Sequence, residues 1–376
     1  MDFDDIRPYR DEEVQTKIKQ LMQVPLFMEV MQKMMPSLEH GQIQAVLSEV
    51  RSIKALQEGI IIPLLDGLIK KTIDEVQFSG LERLQKNQAY LFVSTHRDIV
   101  MDSALMNYVL LSQGYETAEI AIGDNLMTIP WVVDVVKLNK TFIVKRNVAK
   151  EQRLEESYKL SAYIRETVIQ RNQSVWIAQR SGRSKDGNDV TNPGLVKMFQ
   201  LSGEKSAFED IKALNICPLS IAYEYNPCDT LFLPELIARS QELEYKKANG
   251  EDVMHMAKGI QGFKGKVSID FGRPLNQEID QFKHIKNKND FFAELANWID
   301  QEIYASYALK ESNLAAYQLL HGQGKSEFIL HEEQMKTFEN YLKRQLKDLP
   351  GDFNQNRKLL LEMYASVVAN KLNTQD

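Results

Sequence analysis

Six short apolar runs in the middle of the chain, with helix-like stretches between them, restrict the fold more than any other feature. They lie at 89–93, 118–122, 141–144, 174–178, 217–222 and 266–271. Runs of this length suit strands rather than helices, which need roughly ten or more residues. The segments between them, 148–170 for example, repeat their apolar residues at helical spacing. Strands alternating with helices give an α/β fold, a mostly parallel sheet flanked by helices. Pro218, inside the fifth run, points to an edge strand or a strand start, because proline cannot donate to a ladder.

Helical regions are expected on both sides of this core. Residues 10–75 carry Met, Leu, Val and Ile at three- and four-residue spacing, and helical periodicity returns after Pro274. The division is therefore an N-terminal helical region (1–75), an α/β domain (76–280) and a C-terminal helical region (281–376). Within the last, 290–320 reads as one long helix. A second run ends at Pro350-Gly351 and a third covers 357–372. The methionine-rich stretch 21–35 holds Phe27, Met28, Met31 and Met34. Its expected use is packing between helices, and an exposed stripe of this kind could also meet a membrane or an acyl chain.

The formal charge of −6 over 376 residues excludes a globally basic nucleic-acid binder. Two cysteines, Cys217 and Cys228, make neither a disulfide framework nor a multi-cysteine metal site. The opening MDFDDIRPYRDEE is acidic, unlike a secretory leader. The longest apolar stretch, 59–69, is interrupted by Pro63 and Asp66, and a bilayer span needs about 20 residues. A cytoplasmic protein, soluble or seated on a membrane surface, is expected.

The chemistry gathers at the ends of the runs. His96 follows the first run directly, and Asp102 falls in the first turn of the helix after it. An imidazole that titrates near pH ~6.5 can take a proton, and a carboxylate can fix its tautomer. Asp98 is the other candidate partner. No serine or cysteine sits in a nucleophile elbow, so the nucleophile would be a hydroxyl of the substrate. His96-Arg97-Asp98 and Asp270-Phe271-Gly272 spell protein-kinase triplets, but no glycine-rich loop precedes them, and Ser103 stands where a kinase has asparagine. Lys145 and Arg146 end the third run, where cations suit a phosphate. Gly182, Arg183 and Ser184 follow the fourth, where glycine permits close approach and arginine grips an oxyanion.

In this order, the segments from Leu81 to Leu275 resemble the glycerolipid acyltransferase family. Its first block, His-x4-Asp after a strand, is similar to His96 with Asp102, here at one residue wider spacing. The second block's Phe-Ile-Arg-Arg-like run is matched by Phe142 to Arg146. The third, Glu-Gly-x-Arg-Ser, is partly matched by Ser181 to Ser184, with Arg180 and Ser181 in the neighbourhood of its glutamate. Pro218 matches the fourth, and Phe271 to Leu275 match a late Phe-Gly-x-Pro-Leu.

The resemblance implies transfer of a fatty acyl group from acyl-CoA or acyl carrier protein. The acceptor would be a hydroxyl of a phospholipid precursor, glycerol-3-phosphate or lysophosphatidic-acid-like. His96 would be the general base, oriented by Asp102, with Lys145, Arg146, Gly182, Arg183 and Ser184 binding substrate. No metal or other cofactor is implied, and the protein would lie peripherally on the inner face of the plasma membrane. An acyl-lipid binder of the same fold without catalysis, or an acyltransferase acting on an amino-acid-based lipid, are the alternatives.

Overall fold

A computed structural model describes residues 1–127, 129–322 and 330–374. Seven strands form one sheet: β1 Glu75–Ser79, β2 Leu91–Ser94, β3 Glu119–Gly123, β4 Thr141–Val144, β5 Val175–Ala178, β6 Ile216–Tyr223 and β7 Lys266–Phe271. Their order across the sheet is β1-β7-β6-β2-β5-β3-β4, and every neighbouring pair is parallel except β6 and β7. The α/β expectation holds. All six apolar runs are strands, and the one strand without such a run is β1. That edge strand, EVQFS, is almost wholly exposed, so it needs no apolar run and reads as loop.

Successive residues of β2 serve opposite faces, as a pleated strand requires. Leu91 and Val93 join a core with helices Arg153–Arg165, Pro193–Gln200 and Lys288–Ser306. Tyr90 and Phe92 join the opposite core, under helices Ile62–Thr72 and Met101–Ser112. The helix after residue 281 is thus part of the layer that covers the sheet. Two further cores lie outside these layers. Helices Asp11–Met22, Pro25–Met34 and His40–Ser48 enclose one, and helices Asp229–Ser240, Glu311–His321, Glu332–Leu346 and Phe353–Leu372 the other.

Pro218 lies in an interior strand. It stands near the start of β6, one residue before pairing with β7 begins at Leu219. The expected 290–320 helix is broken into Lys288–Ser306 and Glu311–His321. No glycine or proline marks the break. It falls at Tyr307, whose buried side chain hydrogen-bonds Asp189. The 148–170 stretch is helical with a π-helical last turn at Glu166–Gln170.

Candidate active site

β2 ends at Ser94, and the loop 95–100 carries the chain over the carboxyl edge of the sheet into the helix Met101–Ser112. Ligand sites of open α/β sheets lie at this edge. Neighbouring strands hold the loop. Thr95 N donates to the Leu219 carbonyl (3.1 Å), and the Thr95 hydroxyl accepts from Ile221 N (2.8 Å). Ser184 N donates to the His96 carbonyl (2.8 Å).

His96 Nδ1 lies 2.9 Å from Asp102 Oδ2. Asp102 is completely buried, and its carboxylate accepts from Arg97 N (2.7 Å), Asp98 N (3.0 Å) and the Tyr223 hydroxyl (2.8 Å). Burial, then the Asp102 charge, pushes the Tyr223 phenol well above its ordinary value, so it stays a donor. With Nδ1 committed to Asp102, His96 presents Nε2 for chemistry. The ring packs edge-on against Trp176, centroids 5.7 Å apart, and lines a large cavity.

The wider His-to-Asp spacing is absorbed in the loop, before the helix starts, so Asp102 keeps a first-turn place facing the imidazole. Asp98 does another job. Its Oδ1 accepts from Val100 N (2.9 Å) and Met101 N (2.8 Å), capping the helix start. Its Oδ2 sits against Gly259, where any Cβ would collide with it. Burial, reinforced by Asp102, raises the Asp98 pKa.

The cavity measures about 1340 Å³, larger than the ~300–1,000 Å³ usual for small-ligand pockets. Its apolar wall includes Val30, Met34, Ile61, Leu64 and Leu68 from the N-terminal helices. Ten lysines and arginines line it against two carboxylates, Glu235 and Asp252. The methionine-rich helix therefore works on two faces. Phe27, Met28 and Met31 are buried among the N-terminal helices, while Val30, Lys33 and Met34 face the cavity.

The expected substrate-binding residues separate into different environments. Lys145 lines the cavity but is already paired, with Asp5 and with Glu156 (3.4 Å), and the Asp5 hydrogen bond raises its pKa. Arg146 lines the cavity and makes no ion pair among the described residues. Gly182 adopts φ +82° on open ground at the cavity wall. Arg183 also lines the cavity and is buried; its Nη2 lies 2.7 Å from His255 Nδ1, and Asp252 is 3.7 Å away. Its Cζ lies over the Phe232 ring, 4.9 Å from the centroid, and its Nη1 is buried with no hydrogen-bond partner among the described residues. Ser184 does not line the cavity. It braces the His96 backbone from below.

Sequence reasoning missed Tyr223 and His255 and gave Lys185 no more than a place in the loop with Arg183. Tyr223 looks like any strand aromatic. His255 is buried and driven to about 4 by burial and the neighbouring Arg183, so it faces the arginine as a neutral ring. Lys185 is paired with Glu235, and burial lowers its pKa. Among the described residues no cluster of three or more His, Cys, Asp or Glu side chains has a metal-holding arrangement.

Residues 75–222 match the family model described as Acyltransferase. The matched segment runs from β1 into β6 and contains both His96 and Asp102. The chain carries an acyltransferase domain and is an acyltransferase. Among solved structures it is similar to the 1-acyl-sn-glycerophosphate acyltransferase PlsC of Thermotoga maritima. The two are 14% identical at a TM-score of 0.35, over 77% of this chain and 94% of that one. No curated protein matches.

Proposed function

We propose that this acyltransferase moves a fatty acyl group from a thioester donor, acyl-CoA or acyl carrier protein, to a hydroxyl of an acceptor that carries phosphate. Glycerol-3-phosphate and lysophosphatidic acid are acceptors of this kind. The observation that carries the reading is one cavity holding His96, an apolar wall, and an arginine whose buried Nη1 has no partner. A buried, unsatisfied guanidinium N–H is costly, and an anionic ligand would satisfy it.

His96 Nε2 accepts the acceptor's hydroxyl proton as its oxygen attacks the thioester carbonyl. Asp102 holds the Nδ1–H tautomer and steadies the imidazolium that forms. Backbone N–H groups near Gly182 face the developing oxyanion. The tetrahedral adduct collapses, the carbon–sulfur bond breaks, and the thiolate takes the proton back from His96. The products are the ester and the free thiol. The step uses no metal or other cofactor.

The reading also seats the protein on a membrane from the cytoplasmic side. No helix among the described residues is long and apolar enough to cross one. Leu243, Val253 and Met254 are exposed and lie close in sequence to the cavity-lining Lys247 and Asp252. Apolar side chains among lysines suit an anionic lipid surface.

Thiol release from long-chain acyl-CoA and acyl carrier protein tests the reading. Wild type and His96→Ala would be given glycerol-3-phosphate, lysophosphatidic acid, a hydroxyacyl amino acid, or no acceptor. We expect release that depends on a phosphate acceptor and falls by about 10²–10⁴-fold in the variant. Release only with the amino-acid lipid would replace the acceptor class. Wild-type rates in His96→Ala would end the mechanism.

A further inference from the structure

Arg97 has no role in the chemistry above, yet its guanidinium is buried beneath the catalytic loop. Nη1 donates to Asp189 Oδ1 at 2.9 Å, and Nη2 donates to Oδ2 of the same carboxylate. Asp189 is fully buried. It also accepts from the Tyr307 hydroxyl at its side chain and from the Tyr304 hydroxyl at its carbonyl. Both tyrosines lie where the helix Lys288–Ser306 ends.

The backbone of Arg97 does something else. Its N–H donates to Asp102 Oδ2, the oxygen that pairs with His96 Nδ1. One residue therefore joins a four-group buried network to the dyad. Such a network is weak evidence for stability, because apolar side chains of like volume often serve as well or better. What a bidentate arginine–carboxylate pair adds is direction. The loop it holds carries the extra residue between His96 and Asp102, and a longer loop has more conformations to suppress.

We propose that Arg97 and Asp189, with Tyr307 behind them, are positioning residues that hold the 96–98 backbone so that Asp102 and His96 meet. The chain around 304–307, beyond the matched family segment, thereby takes part in setting the dyad. This rests on His96 being the base.

The test compares Arg97→Lys and Tyr307→Phe with wild type in acyl transfer and in NMR of the His96 Nδ1–H. Lysine keeps the charge and loses the bidentate geometry. We expect kcat to fall by roughly 10- to 100-fold in Arg97→Lys, with KM for donor and acceptor within about twofold. The Nδ1–H resonance, assigned by its absence in His96→Ala, should shift or broaden. Tyr307→Phe keeps the ion pair and should show a smaller loss of the same kind. It decides the matter by itself if Arg97→Lys does not fold. Variants that melt earlier but keep wild-type kcat and an unchanged Nδ1–H signal would make the network a brace of the fold and overturn the proposal. A fully active His96→Ala would instead sink the reading of His96, while the NMR comparison would still report on the positioning.

Discussion

The Tyr223 hydroxyl donates to Asp102 Oδ1 at 2.8 Å, from a strand 121 residues further along the chain. It gives the carboxylate a donor on the oxygen that His96 does not use. Tyr223→Phe removes that donor and almost no volume. A hydrogen bond to a charged group contributes about 1.5–3 kcal/mol. We expect kcat to fall by roughly 10- to 150-fold with little change in KM, read from steady-state thiol release.

His255 links stability to pH. Its folded pKa, about 4, lies below the ordinary imidazole value, so the unfolded chain binds the extra proton first as pH falls. Its contribution is complete above about pH 6.5 and is lost as pH falls towards 4. His255→Gln retains an acceptor for Arg183 and cannot titrate. Urea melts at pH 7 and pH 5 should show wild type losing more stability than the variant. Equal losses would mean that His255 is not held neutral.

Gly259 offers a test in which helix propensity and packing disagree. In an exposed helix, glycine to alanine gains up to about 1 kcal/mol. Here a Cβ would drive into Asp98 Oδ2, which caps the helix carrying Asp102. Gly259→Ala should therefore destabilise, by about 1–3 kcal/mol in denaturant melts.

Two adjacent cations should behave differently. Lys145 is held by Asp5 and Glu156, whereas Arg146 faces the cavity without an ion pair among the described residues. Arg146→Ala should raise KM for a phosphate acceptor by roughly 10-fold, the scale of one charged hydrogen bond. Lys145→Ala should leave KM within about twofold and instead loosen the N-terminal segment, seen as faster proteolysis before Asp11.

What was legible in the sequence was legible because it is local. The 89–114 stretch announces strand, loop and helix by its own periodicity, and His96 and Asp102 fall at its joints. The spacing alone left Asp98 and Asp102 open as partners. The choice depends on Gly259, Tyr223 and the backbone N–H groups of the loop, which no spacing shows. Lys145 read as a free cation because Asp5 is 140 residues away in sequence. The break at Tyr307 was invisible because no glycine or proline lies there and the partner of the Tyr307 hydroxyl, Asp189, is 118 residues away in sequence. β1 was invisible because an exposed edge strand has no apolar signature.

β6 and β7 are antiparallel, yet no tight hairpin joins them. The chain leaves β6 at Tyr223 and returns at Lys266, supplying Glu235, Arg239, Lys247, Asp252, Ala257 and Ile260 to the cavity on the way. The donors to Asp102, from Arg97, Asp98 and Tyr223, all lie outside that excursion. This excursion is a sleeve hung from the one reversed pair, and it is keyed to the floor beneath it: Gly259 lies within it and fits against Asp98, which caps the helix carrying Asp102. Grafting a different sleeve between the same two strand ends would redraw what the cavity admits, and would leave the His96–Asp102 pair in place only if it kept a glycine-sized residue against Asp98.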